Sequence, residues 1–283
     1  MNTSGQLAAP IPAARSSNSP PVSNPARRRP LPAWLHTLWQ WREAALLWLV
    51  LATLWEIGTR FWVTSANPLL PAPTAVLAAL IESLPELWRG TVASFLILAP
   101  GFALATVLGV ASGLRVGTSP RLQRTFFPFA RVAAPIPPTV YIPYAIAVLP
   151  TFQWSAIFVV FIGAFWPIFQ NTAAGAHALE ARHRDNARIL GLDGFAYHWR
   201  IVLPAALPHI FSGMAVGLGF AFILLTVAEL FGANAGLGRF VQYYADFADY
   251  PRMVAGILYT GVVTFLAMTL LELLRRRALF WQR

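Results

Sequence analysis

The sequence predicts an all-α, polytopic membrane protein with six transmembrane helices, and three observations predict it. The 283 residues are 57% hydrophobic and 11% charged, with a mean hydropathy of +0.57, whereas a soluble domain carries about 25% charged residues. Runs free of Asp, Glu and Arg extend over Gly90–Leu114, Val132–Leu179, Ile201–Ala228 and Met253–Leu271, and about 20 residues of helix cross a hydrocarbon core roughly 30 Å thick. The 21 basic residues are all arginines that punctuate these runs. A nucleic-acid partner needs them gathered on one polar face, so the net charge of +10 does not point there.

Six spans follow, at about 44–63, 92–114, 126–149, 153–176, 208–232 and 253–274. Glu56 and Arg60 interrupt the first, one helical turn apart, which predicts an ion pair within the helix. Phe61–Ile81 is uncharged but carries Asn67, Pro68, Pro71 and Pro73, so a loop is expected there. The run Val132–Leu179 is long enough for two crossings that turn at Pro150. Residues 1–33, rich in Pro, Ser, Ala and Arg, read as a disordered tail. Trp34, Leu35, Leu38, Trp39 and Trp41 then recur at helical spacing, and residues 34–43 suit an amphipathic helix in the membrane interface. The transmembrane part is 44–283, with an uncleaved first span. Arg15, Arg27, Arg28, Arg29, Arg42, Arg115, Arg121, Arg124, Arg182, Arg184, Arg188, Arg200, Arg275, Arg276, Arg277 and Arg283 fall on one side. Arg60, Arg89, Arg239 and Arg252 fall on the other. Positive loops stay cytoplasmic, so both termini are expected inside an inner (plasma) membrane.

Absent residues also exclude functions. Without cysteine there is no disulfide, thiolate nucleophile or Cys-ligated metal. Without lysine there is no phosphate-binding loop of the Walker A kind, so any ATP is bound by another subunit. His36, His177, His183, His198 and His209 form no His-x-x-x-His pair, and no metal site is expected.

The charged segment at about 180–204 has informative spacing. Asp185, Asn186 and Ala187 are followed by Gly191, then Ile201, Leu203 and Pro204. Ala181–Leu190 reads as a short helix, which Gly191 or Gly194 can end in the left-handed conformation. Pro204 and Pro208 fall where the next helix can begin. This segment resembles the EAA loop of ABC-transporter permeases: Glu-Ala-Ala, three residues, Gly, nine residues, Ile, one residue, Leu-Pro. The spacing matches throughout, with Asp185 in place of Glu and Asn186 in place of Ala. Over roughly 34–283 the chain is similar to the branch serving taurine, aliphatic sulfonate and nitrate importers. The carriers of this resemblance are Leu70–Pro73, Pro135–Pro138, Phe165–Thr172, Ala228–Leu230, Asn234–Gly238 and the end at Arg275, Arg276, Arg277 and Trp281. Ala147–Phe152 departs from the wording usual between spans three and four.

The resemblance implies a permease like those of type I ABC importers, a homodimer in membrane lipid whose partners are cytoplasmic ATPase subunits that bind ATP and Mg and an outer solute-binding protein. The chain itself would carry no cofactor and no catalytic residue. Asp185, Asn186, Ala187, Gly191, Ile201, Leu203 and Pro204 would couple it to the ATPase. The solute implied is a sulfonate, taurine, nitrate or a similar small anion; a vitamin-precursor-like heterocycle stays open. An ATP-independent carrier and an intramembrane enzyme are the rival classes, although the enzyme would need a nucleophile and base within the spans. Pathway candidates are Glu229, Asn171, Pro137 and Pro138. An acid such as Glu229 either faces the pathway or is held by Arg239 or helix-end amides. The prolines of span three either line a cavity or kink the helix for packing. Asn171 and Gln170 either meet solute or bond between helices.

Overall fold

Prolines and small residues set the element boundaries. The computed structural model describes residues 33–61, 69–179 and 194–282. These residues are helical, with no strand among them. The chain divides into two compact units, Met1–Leu51 and Ala52–Arg283. Helix α1 is Ala33–Phe61, and the last two residues of the first expected span, 62–63, lie outside the described residues. Its residues from Ala52 onward belong to the larger unit.

Within that unit α2 spans Pro73–Thr118, so the expected loop over Phe61–Ile81 is corrected from Pro73 onward. Pro73 opens the helix where a missing N–H costs nothing. The Glu56 carboxylate accepts bonds from the Thr74 N–H and hydroxyl, each at 3.3 Å, while it pairs with Arg60 at 2.7 Å. The 46 residues of α2 measure roughly 70 Å at 1.5 Å per residue, more than twice a hydrocarbon core.

The third expected span is also corrected. Residues 126–149 are not one helix but α3 (Pro120–Ala133), a single 3-10 turn (Pro138–Val140) and α4 (Tyr141–Val148). Pro135, Pro137 and Pro138 have no N–H for the carbonyls of Arg131, Ala133 and Ala134, so the ladder stops there. Helix α5 (Phe152–His177) follows after a turn at Pro150, capped by the Thr151 hydroxyl. After one helical turn, α6 (Gly194–Tyr197), the backbone widens to a π turn at His198–Val202 and continues as α7 (Leu203–Gly232). The change of register coincides with Pro204, which cannot donate to the Arg200 carbonyl. Then come α8 (Leu237–Asp246) and α9 (Tyr250–Ala278). Among the described residues four helical stretches are long and apolar enough to cross a membrane: α2, α5, His198–Gly232 and α9.

The core lies where α5 packs between α2 and α7. Gly101, Gly109, Gly113 and Gly117 of α2 recur at one or two turns and face α5. A methyl group at Gly113 would lie 2.7 Å from Thr172 Cβ, and one at Gly109 would lie 2.9 Å from Ile168 Cγ2. Gly213 and Gly217 of α7 admit α5 in the same way, against Asn171 and Ile168. Lipid tails are as apolar as leucine, so helices associate in a membrane by such close backbone approach.

Gly109→Leu and Gly113→Leu should each lower stability by about 1–3 kcal/mol through overpacking. Gly261→Leu, where an added Cβ meets nothing within 4 Å, should be neutral. Thermal unfolding of the three variants in one detergent checks this; equal melting points would contradict the packing scheme.

Candidate functional site

Three places gather the residues that the sequence singles out, and the first centres on Glu229. It lies three residues before the end of α7 with no exposed surface, and Ser94 of α2 beside it is 1% exposed. Glu229 Oε1 accepts the Ser94 hydroxyl at 2.5 Å, and Oε2 accepts the Gly238 N–H at 2.6 Å. Ser94 Oγ in turn accepts the Leu237 N–H at 2.9 Å. The carboxylate and the serine therefore satisfy the first free amides of α8, where the helix dipole favours negative charge. Arg239 is not the partner; its guanidinium sits 5.9 Å from the centre of the Tyr243 ring.

The glycines around this carboxylate are required by space and conformation. Gly236 adopts φ +144°, and a Cβ there would strike the Glu229 carboxyl. A Cβ on Gly90 of α2 would meet the Gly236 carbonyl group at 3.3 Å. The Asn234–Gly238 motif is thus a connection pressed between α2 and α7. Ser94 was not legible as the partner of Glu229. Its only sequence signal is a small polar residue one turn beyond Gly90 in the same apolar run.

On the same end of the bundle, Arg252 of α9 bonds Asp249 at 2.8 Å and Glu82 of α2 at 3.3 Å. Tyr244 of α8 donates to Glu86 at 3.0 Å and lies under Arg252, 5.5 Å from ring centre to guanidinium. Burial, and next the Glu86 carboxylate, push the Tyr244 phenol up, so it remains a donor at neutral pH. Arg252 is one of the four arginines that the sequence assigns to the outer face.

The second place is the broken third span. Pro137 is exposed and Pro138 half-buried. The Ala133 carbonyl receives only the Ile136 N–H, at 3.3 Å. Asn171 does not join it: its Nδ2 donates to the Pro167 carbonyl of its own helix at 2.9 Å, where α5 meets Gly213.

The third place is the exit of the charged segment. Asp185, Asn186, Ala187 and Gly191 lie outside the described residues. Of the others, Ile201 closes on the π turn, and Leu203 and Pro204 start α7. Val202 between them is fully buried with Leu114, Ala176, Ala206 and Ile210. His198 Nδ1 lies 2.8 Å from the Gly194 carbonyl, and Nε2 lies 3.0 Å from the Thr118 hydroxyl at the end of α2. Gly194 has φ +57°. Among the described residues no group of three or more His, Asp or Glu is placed to hold a metal ion.

Glu229→Ala orphans the Gly238 N–H and the Ser94 hydroxyl, and should cost about 2–3 kcal/mol. Ser94→Ala should cost less. Because the two side chains share the α8 amides, their effects should be non-additive by roughly 1 kcal/mol or more in a double-mutant cycle. Additive losses would mean that the two groups act separately.

Residues 72–279 match the family model described as a binding-protein-dependent transport system inner membrane component. The chain is 34% identical over 174 residues to a nitrate import permease of Synechocystis, covering 62% of this chain and 63% of that protein. It is 29% identical over 255 residues to the taurine transport system permease of Escherichia coli, covering 86% and 93%. To a putative aliphatic sulfonates transport permease of Bacillus subtilis it is 29% identical over 271 residues, covering 95% and 97%. The matches to nitrate and bicarbonate permeases span less than two thirds of those relatives' own length. With close to three quarters of its length inside the family match, the chain belongs to the inner-membrane components of binding-protein-dependent transport systems.

Proposed function

We propose that the chain is the membrane half of an ATP-driven importer of a small oxyanion. The relatives are named for nitrate, bicarbonate, taurine and aliphatic sulfonates. What these solutes share is a compact anionic oxygen group. In this reading two copies enclose the pathway in the inner membrane, with both termini inside and six crossings of each copy. The tail of 1–33 lies in the cytoplasm, 34–43 on the membrane surface, and 44–283 forms the transmembrane part. Separate cytoplasmic subunits bind ATP and Mg, and an outer binding protein delivers the solute.

The observation that carries this reading is how the charged segment leaves its loop. Asp185, Asn186, Ala187 and Gly191 seat in the ATPase, and Ile201, Leu203 and Pro204 pass the motion on. The buried Val202 and the contact between His198 and Thr118 support this assignment, because they tie the segment to α2, α5 and α7 together. A loop bolted to three helices moves them when it moves. The broken third span supports a pathway beside Pro137 and Pro138. Backbone without helical partners is tolerated at membrane depth only where protein or water covers it.

The absence of cysteine makes the test direct. A single cysteine at Gly191 should be labelled by an impermeant maleimide in inside-out vesicles and not in intact cells. Ala187→Glu or Gly191→Trp should abolish uptake by about 100-fold or more while leaving the amount of permease in the membrane unchanged, since coupling and not folding is lost. Labelling from outside, or transport by the purified chain without its ATPase, would overturn the reading.

A further inference from the structure

Between the end of α2, one face of α3 and the second half of α5 lies a cleft of about 340 Å³, near the small end of ligand pockets at roughly 300–1,000 Å³. Phe126 and Phe129 of α3 face Phe165, Trp166 and Phe169 of α5 across it, and Arg115 is the charged residue in its wall. The rings hold each other in place. Phe165 and Phe169 are stacked with centroids 5.8 Å apart, Trp166 stands edge-on to both, and Phe129 lies 6.1 Å from Trp166. Mutually packed aromatics of this kind form a rigid apolar surface. Phe129 is nevertheless 60% exposed, so part of that surface has no cover from this chain.

The charge beside the cleft is equally one-sided. Arg115, Arg121, Arg124 and Arg131 form no ion pair among the described residues. No Asp or Glu occurs in the sequence between Glu86 and Glu180. On α3 the spacing puts Phe126 and Phe129 on one face with Arg121 at its flank, and Arg124 and Arg131 on the opposite side. An apolar cleft with a guanidinium in its wall, and with Arg121 unpaired among the described residues at its flank, suits an apolar chain with an anionic head. It does not suit a small hydrophilic anion, which needs several convergent polar groups.

We propose that this cleft binds an anionic phospholipid, its acyl chain against Phe126, Phe129 and Trp166 and its phosphate on Arg115, with Arg121 beside it. Arginine presents a planar fork of donors that matches a phosphate. Basic pockets between membrane helices on the cytoplasmic side hold anionic lipid headgroups in this way. The inference needs the chain to lie in a membrane and is independent of the solute and of the ATPase. The arginine distribution assigns the lipid to the inner leaflet.

The test uses the full chain purified in a mild detergent, with phosphatidylglycerol, phosphatidylcholine of the same acyl chains, and inorganic phosphate as probes. Native mass spectrometry should show phosphatidylglycerol retained over phosphatidylcholine. Arg115→Gln should reduce that preference by about fivefold, the share of one arginine near an anionic surface, and Phe129→Ala should weaken both lipids. Arg275→Gln, at an arginine already paired with Glu272, should leave the preference unchanged. As a readout that does not depend on the arginine variant folding, phosphatidylglycerol brominated on its chain should quench tryptophan fluorescence less in Trp166→Phe than in the unaltered chain. An Arg115→Gln chain with the same lipid preference, an equal quench in Trp166→Phe, or stabilisation by inorganic phosphate equal to that by the lipid would each overturn the proposal.

Discussion

Inside a bilayer no water is at hand to satisfy a polar group, and this constraint orders the structure. Every donor or acceptor at that depth must find a partner in the protein or face a wet cavity. Most hydroxyls of the spans meet it locally, while the buried Thr172 hydroxyl of α5 has no partner among the described residues. Thr106, Thr226, Thr260 and Thr264 each donate to the carbonyl four residues earlier, on Phe102, Phe222, Gly256 and Thr260. Asn171 does the same with Pro167. Glu229 cannot, because a carboxylate only accepts. It therefore takes donors from two other elements, and in doing so fixes where α8 begins and how closely α2 and α7 approach. A single acid thus determines the arrangement of three helices and one connection.

The same solvent inverts the usual distribution of side-chain size. Leu96, Val107, Ile223 and Phe265 point outward with 60–67% of their surface exposed, because lipid welcomes them as readily as a core would. The contact lines between helices hold Gly, Ala, Ser and Thr instead, and dispersion at close range replaces hydrophobic exclusion as the source of attraction. Mean hydropathy therefore identifies which segments enter the membrane and says little about which face of each meets another helix. Spacing of small residues supplies that second piece of information, and Gly101–Gly117 of α2 is its clearest instance.

This division explains what was legible in the sequence. The long uncharged runs and the pairing of Glu56 with Arg60 depend on composition and local spacing, and both hold in the structure. The loop expected up to Ile81 treats Pro73 as a breaker, whereas at the first turn of α2 proline is an initiator. Apolar composition predicts a continuous third span, although Pro135, Pro137 and Pro138 each remove a donor from the helical ladder. For Glu229, composition offered an arginine or helix-end amides as partners. The choice of amides depends on Gly236 and Gly238 letting the α8 terminus come within hydrogen-bond distance, a tertiary fact with no local signature. Ser94 is hidden for the same reason, since its partners lie more than 130 positions away in the chain.

The length of α2 gives these separate places a mechanical relation. Toward one end the helix holds Glu82, which bonds Arg252, and at its middle Ser94, which bonds Glu229. At the other end Thr118 touches His198, and the Gly117 carbonyl accepts the Gln123 side chain at 2.7 Å. One continuous helix therefore joins the polar cluster around α8 to the exit of the charged segment. A helix transmits displacement along its axis well and bends where its ladder lacks a bond. In α2 those points are Pro85 and Pro100, which leave the Ile81 and Leu96 carbonyls without their helical donors. Pro100 lies between the two anchored regions, six residues beyond Ser94 and next to Gly101, where an added Cβ would lie 2.8 Å from Val160 Cγ1 of α5. Bending there is opposed on one face by Val160 and open on the other. The direction in which α2 can yield is thus set by its contact with α5, away from the core and toward lipid.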